Sequence, residues 1–315
     1  MKHPRFELPL SRRPAPSAGR EVVRGRWTGV PGLWPPLAPL AASIGAAVSI
    51  GAVALLSLAG AGAQSREVRR PAVIAHRGVA LEAPENTLPA ISKAIELGCG
   101  MAEIDLRYSA DREVVLMHDA TVDRTTDGSG AVSQKTLADL RRLDAGARFR
   151  AGGFRGTAVP TLREAVELAR GRIELYLDLK ELDPRPAVRA VESLGARSMV
   201  VFRPYTYLAL RQILMEAPEA RVLIDLGDWV QAPGLVPTLR REFPTGALSS
   251  DWGNWTAPVV ADARKLRVAT FVNALGAADT AENLRRAIEL GFDYIQTDHP
   301  RDLLALIRER DEKAR

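Results

Sequence analysis

Between Val73 and Thr126 the chain carries, in order, His76-Arg77-Gly78, Glu85-Asn86-Thr87, Glu103-Ile104-Asp105 and His118-Asp119. Histidine gives and takes protons near neutrality, and two of the four histidines in the sequence fall in this stretch. Each follows a short apolar run, Val73-Ile74-Ala75 before His76 and Val114-Val115-Leu116-Met117 before His118, so each is delivered at the end of a strand. Glu103 and Asp105 stand two apart in a run with Met101, Ile104 and Leu106. Side chains two apart on a strand share a face. The two carboxylates therefore lie side by side, repel each other and resist desolvation, and something positive must sit between them. Arg77 adds a guanidinium next to the first histidine. Two histidines, an arginine and a carboxylate pair, all at strand ends, describe an active site.

The elements that must position these residues alternate along the rest of the chain. Strands are predicted near 73–76, 102–106, 173–179, 199–202, 221–225, 246–249, 268–272 and 294–297. Helical patterns fall between them, near 87–97, 161–169, 186–194, 206–216, 233–242, 256–265, 280–290 and 301–310. Eight strand–helix units predict an α/β chain closed into a (β/α)8 TIM barrel rather than an open sheet. Residues 110–160 form an insertion after the second strand, with a strand at 114–118 and a short helix near 136–142. An insertion at that end of a barrel strand belongs to the active-site face.

Ahead of the barrel, residues 1–36 are rich in Arg, Pro and Gly without apolar periodicity, which predicts a disordered basic tail. No charged residue occurs from Thr28 to Gln64, and residues 37–63 are long and apolar enough to cross a bilayer. The basic flank before that segment places residues 64–315 outside the cytoplasm, exported or membrane-anchored. Ala61-Gly62-Ala63 has the small-x-small form of a signal-peptidase site, so 37–63 is either a cleaved signal peptide or a retained anchor. The net charge of +5 resides in this leader: seven Lys/Arg and two Asp/Glu lie in residues 1–63, and the remainder is balanced. A neutral folded part lacks the footprint of a nucleic-acid binder. The single cysteine, Cys99, forms no internal disulfide and reads as a small core residue.

The ordered set of motifs resembles the glycerophosphodiester phosphodiesterase family. The resemblance rests on HRG at 76–78, PENT at 84–87, E-x-D at 103–105 and HD at 118–119. It continues through PTL at 160–162, D-L-K at 178–180 and TD-x-P at 297–300. It implies metal-dependent cleavage of glycerol-phosphate diesters to glycerol 3-phosphate and an alcohol. His76 and His118 would be the acid–base pair, with the reaction running through a cyclic phosphate. Arg77 and Lys180 would serve both catalysis and phosphate binding. Glu103, Asp105 and Asp178 would hold a divalent cation, Mg²⁺ or Ca²⁺. The family usually has Glu where this chain has Asp178, so the shorter side chain is expected to fall about 1 Å short. The bland alternative for Asp178 and Lys180 is an ion pair inside the barrel.

Other positions have smaller expected parts. Glu85 faces the site or bonds the HRG loop, and Asn86 or Thr87 caps the first helix. Asn273 matches a family Trp-Thr-Val-Asn in which the Trp is exchanged, which alters the wall around the alcohol. Trp252, Asn254 and Trp255 follow the sixth strand and are candidates for the mouth of the pocket, Trp252 as a substrate-binding residue. Asp298 is expected to cap the final helix. Two rival functions remain: a lysophospholipase D- or phospholipase C-like activity on lipid head groups, and a barrel that binds without turnover. The second predicts a lost histidine or carboxylate, and none is lost.

Overall fold

The computed structural model describes residues 70–315 apart from 244–245. The basic tail and the apolar segment at 37–63 lie outside the described residues. Strand β1 (Ala72–Ala75) pairs in parallel with β2 (Met101–Tyr108) on one side and with β9 (Tyr294–Thr297) on the other. The remaining parallel strands run β4 (Glu174–Leu179), β5 (Val200–Arg203), β6 (Val222–Asp225), β7 (Gly246–Asp251) and β8 (Thr270–Asn273). The order β1-β9-β8-β7-β6-β5-β4-β2 returns to β1, which closes an eight-stranded barrel. All eight predicted strands are present.

The alternation of side chains explains the layers. Ile74, Met101, Tyr176, Val201, Leu223, Ala247 and Phe271 pack together inside the barrel, where Phe271 stacks on Tyr294 with ring centroids 4.0 Å apart. Their sequence neighbours, such as Ala75, Ala102, Ile104, Leu175, Leu177, Phe202 and Val272, join the outer core under the helices. Two residues beyond each inward-facing plug residue, the same face carries polar groups: His76, Glu103, Asp178, Arg203, Asp225, Ser249 and Asn273. An apolar plug below and a polar ring above is what a two-residue period produces when the strands end in charged residues.

The helices that follow the strands are α1 (Leu88–Leu97), α3 (Leu162–Ala169), α4 (Arg185–Ser193), α5 (Tyr207–Glu216), α6 (Leu235–Glu242), α7 (Ala257–Lys265), α8 (Ala281–Leu290) and α9 (Pro300–Lys313). Among the described residues, no helix is long and apolar enough to cross a membrane. Thr87, not Asn86, caps α1 by accepting from the Ala90 N–H. Thr161 and Glu164 form a reciprocal capping box at the start of α3.

The insertion has its own small core. β3 (Val114–Leu116) pairs antiparallel to β2, with Leu106 opposite Leu116 and Tyr108 opposite Val114. Val115, Met117, Val122, Val132, Leu140, Ala145 and Val159 pack into one cluster, with Leu140 ending the short helix α2 (Leu137–Leu140). Burial of each such aliphatic side chain contributes roughly 1.5–3 kcal/mol, enough to hold the segment after β3 as a platform.

Candidate active site

His76 emerges at the end of β1 beside the end of β9. Its N–H donates to the Thr297 carbonyl, and its Nδ1 lies 2.7 Å from Asp298 Oδ1. An ionised carboxylate only accepts, so Nδ1 is the donor and Nε2 is the nitrogen left for other partners. That nitrogen lies 4.0 Å from Glu103 Oε2. The hydrogen bond from His76 holds the Asp298 carboxyl below its ordinary pKa despite its partial burial. Asp279 anchors the same loop, accepting from the Thr297 hydroxyl and the Asp298 N–H.

Arg77 takes a left-handed backbone at φ +51°, which costs a non-glycine residue about 1–3 kcal/mol. Two bonds hold it there: its N–H donates to Glu103 Oε2 at 2.7 Å, and its carbonyl accepts from the Asn86 N–H at 3.0 Å. Gly78 follows at φ +78°, where a Cβ would come within 2.6 Å of the Ala90 Cβ. Only glycine lets this loop lie so close to α1. The Arg77 side chain reaches Glu85 at 2.9 Å and stands 3.6 Å from Asp105. Asn86 clamps Asp105 from both ends, donating to its carboxylate at 2.7 Å and accepting its N–H at 2.9 Å.

Glu103, Asp105 and Asp178 form the centre. All three are buried, and each offers an oxygen within 4.8 Å of the others. Cα register explains this, because Asp105 on β2 pairs with Asp178 on β4. Asp178, one methylene shorter than the glutamate expected there, still brings an oxygen into the group. Lys180 Nζ stands 2.8 Å from Asp105 and 2.9 Å from Asp178, so the bland ion-pair reading and the triad coexist. Burial, reinforced by the charges of Asp105 and Asp178, pushes the Glu103 carboxyl well above the usual range. Burial opposes the charge on Asp105 as well, but Lys180 and Asn86 outweigh it and the carboxyl is lowered. Glu103, unlike Asp105 and Asp178, is thus left without a lysine or arginine in ion-pair contact. An all-oxygen set with one member lacking a lysine or arginine partner fits a hard divalent cation.

His118 follows β3 on the insertion. Its Nδ1 lies 2.7 Å from Asp119 Oδ1, again leaving Nε2 for other partners, and its carbonyl accepts from Arg107 Nε at 2.9 Å. Arg124 binds Asp119 and also both oxygens of Glu85 at 2.7 Å. The hydrogen bond from Arg124 pushes the Asp119 carboxyl far below its ordinary pKa. Burial works against the charge on Glu85, yet Arg124 and Arg77 outweigh it and lower that carboxyl too. His118 follows Met117, whose N–H donates to the Asp105 carbonyl at 2.9 Å, which seats the histidine next to the carboxylate strand.

The sequence model of the glycerophosphoryl diester phosphodiesterase family matches residues 76–228. A glycerophosphodiester phosphodiesterase of Caldanaerobacter subterraneus is 32% identical over 252 residues, spanning 75% of this chain and 97% of that protein. This chain belongs to the glycerophosphodiester phosphodiesterase family. As a family member it is a phosphoric diester hydrolase. The crystal structure of an Agrobacterium tumefaciens glycerophosphodiester phosphodiesterase is 30% identical with a TM-score of 0.67, covering 75% of this chain and 99% of that one. An Oleispira antarctica phosphodiesterase, solved in complex with the product sn-glycerol-3-phosphate, is 26% identical with a TM-score of 0.66 over 76% of this chain and 97% of that one.

The strand ends and the insertion thus bring together His76, Arg77, Glu85, Glu103, Asp105, His118, Asp178 and Lys180. Asn273 shares the inward face of β8, donates to Asp251 at 3.3 Å and keeps a buried Oδ1 without a partner. Three expectations are corrected. Asp298 does not cap α9, whose N-cap is His299 without a side-chain bond; it holds His76 instead. Trp255 is not at the mouth but buried in the outer core, edge-on to Phe292 at 4.9 Å, because its indole N–H finds the Ser250 carbonyl there. Trp252 packs against that same outer core and lines the crevice between α7 and α8 with Asn283 and Arg286, not the carboxylate group.

Several site residues escaped the sequence reading. Asp119 and Arg124 were legible as charges but not as partners. Arg203 was signalled more clearly. It stands two residues after the inward-facing Val201, so the strand period directs a guanidinium into the barrel, where it must find carboxylates. Tyr205, which bonds both Lys180 and Asp178, sits in the loop after β5, where no periodicity applies.

Proposed function

We propose that this phosphodiesterase cleaves glycerophosphodiesters to glycerol 3-phosphate and an alcohol, with His76 and His118 as the paired acid and base. The observation that carries the reading is the matched pair of histidines. Each has its Nδ1 tied to a carboxylate; His76 Nε2 stands 4.0 Å from Glu103, and His118 follows Met117, whose N–H bonds the Asp105 carbonyl.

One imidazole takes the proton of the glycerol hydroxyl next to the phosphate as its oxygen attacks phosphorus. The other, entering as an imidazolium with a second proton on Nε2, protonates the departing alkoxide, and a cyclic phosphate is left. Water then opens the ring with the two roles exchanged. Attack from within the substrate gains the effective molarity of a pre-oriented nucleophile. Arg77 and Lys180 supply fixed positive charge for the phosphoryl oxygens, and the unpaired Asn273 Oδ1 can accept from a substrate hydroxyl. A divalent cation, Mg²⁺ or Ca²⁺, held by Glu103, Asp105 and Asp178 would polarise the phosphoryl oxygens and acidify the attacking hydroxyl.

³¹P NMR of the full chain with glycerophosphocholine tests this. The diester resonance should give way to glycerol 3-phosphate with millimolar divalent cation and persist in EDTA. Absence of turnover with the cation, or equal turnover in EDTA, overturns the reading.

One observation favours lysophospholipids as a second substrate. Leu182 and Tyr205, 75% and 53% exposed, stand on the loops after β4 and β5, beside Lys180, where an acyl chain could lie. A lysophospholipid arm of the same experiment decides it. Export of the barrel, proposed from the charge-free span after a basic flank, is tested by a reporter active only outside the cytoplasm, fused after residue 315. A purely cytoplasmic signal rejects it.

A further inference from the structure

The carboxylate group has a third layer that neither histidine nor Lys180 explains. Asp178 faces β5, where its Cα pairs in register with Arg203. The Arg203 guanidinium lies across the ends of three strands. One nitrogen, Nη1, approaches Asp178 at 3.2 and 3.4 Å, and the other, Nη2, binds Asp225 at the end of β6. Its side chain is only 14% exposed, and its Cζ rests 4.6 Å from the Tyr205 ring centre. The Tyr205 hydroxyl lies 3.0 Å from Asp178 Oδ2 and 2.8 Å from Lys180 Nζ. Asp178 therefore receives one prong of the guanidinium fork from one side and a phenol from the other, while Lys180 is tied on the same face.

From this geometry we infer that Arg203, anchored by Asp225, is a positioning residue that aims the short Asp178 carboxylate at Glu103 and Asp105. The inference rests on the cation-binding reading of that triad. Its physical basis is the rigidity of the guanidinium. A planar fork fixed at one end by Asp225 and seated on an aromatic ring sets where the other end can hold a carboxylate. An ammonium at the same place would supply equal charge without that direction. The short aspartate makes the matter acute, because one methylene fewer leaves less freedom to find the cation by rotation.

Charge and geometry predict opposite signs. Removing a positive group near a cation site should tighten cation binding if Arg203 acts only through its charge. It should weaken binding if Arg203 places the ligand. Binding of Mn²⁺ alone to the full chain, followed by electron paramagnetic resonance without substrate, separates the two. Arg203→Lys keeps the charge and loses the fork; we expect Mn²⁺ to bind about tenfold more weakly. Arg203→Ala should bind no more tightly than the natural chain, and Asp225→Asn should weaken binding by about threefold. Wild-type affinity in Arg203→Lys, or tighter binding in Arg203→Ala, overturns the inference. Should Arg203→Ala not fold, Arg203→Lys and Asp225→Asn carry the test. Glu103→Gln serves as the control. If it leaves Mn²⁺ binding unchanged, the triad is not the cation site and the underlying reading fails. If it abolishes binding while Arg203→Lys and Asp225→Asn do not alter it, only the positioning role fails.

Discussion

The two histidine arms of the site are built from opposite ends of the contact-distance scale. His76 closes on Asp298, 222 residues away in sequence, and meets it only because β9 pairs with β1, with Thr297 opposite Ala75. His118 closes on its own neighbour, Asp119, on a platform with a separate small core. The first arm is therefore an index of barrel closure, and the second of the insertion. Besides the shared carboxylates of β2, they are joined where Arg124 of the insertion binds Glu85, and Glu85 binds Arg77 of the β1 loop. His76 is also the more enclosed, with 18% of its side chain exposed against 34% for His118. Equivalent chemistry thus rests on unequal supports, and the inequality is measurable.

The largest expected effect would break the comparison at its functional level. His76→Ala and His118→Ala should each lower kcat by about 10³-fold or more, since loss of an acid–base group typically forfeits 10²–10⁴-fold. Circular dichroism should show both variants folded. Activity within about tenfold of wild type in either variant removes that histidine from the proton-transfer pair.

A smaller effect sharpens the comparison. Asp298→Asn and Asp119→Asn both leave the imidazole with a neutral partner that no longer selects the Nδ1-protonated tautomer. Asp298→Asn should reduce kcat by about 10²-fold. Asp119→Asn should cost about tenfold, because Arg107 still holds the His118 backbone and the more exposed ring can be solvated in its place. Equal losses would show that the distant closure confers no extra order.

The smallest effect concerns acid stability. Asp298 and Asp119 both have carboxyls lowered by folding, Asp298 through the hydrogen bond from His76 and Asp119 through that from Arg124. The unfolded state then binds the proton first, so their stabilisation is present above the unfolded carboxylate pKa. It is lost as pH falls through the folded values. Asp298 spans the barrel seam, so Asp298→Asn should flatten the fall in Tm between about pH 5 and pH 3. Asp119 is part-exposed and local, and its pairing with a half-exposed Arg124 is screened by solvent. Asp119→Asn should leave the Tm profile nearly unchanged. A profile flattened equally by both variants would make the insertion as integral to unfolding as the seam.

Periodicity and local chemistry determined a large part of this protein from its sequence. The two-residue period of β2 and β4 placed Glu103 with Asp105 and Asp178 with Lys180 on shared faces, because adjacent strand positions must point to opposite sides. The capping chemistry at Thr87 and Thr161 and the eight strand–helix alternations follow from the same short-range rules, which act within a few residues and are written in the chain itself. What only the tertiary structure decided is which strand ends meet. Local rules mark Asp298 as a helix cap, and it does not serve as one, since the seam brings His76 within 2.7 Å and an imidazole outcompetes backbone N–H groups that solvent can satisfy. Arg203 finds Asp178 and Asp225, and Arg124 finds Glu85, through register and closure. Those pairings depend on the relative placement of elements 20 to 40 residues apart. No periodicity carries that information, because hydrogen bonds and ion pairs between strands are set by the stagger of the whole barrel.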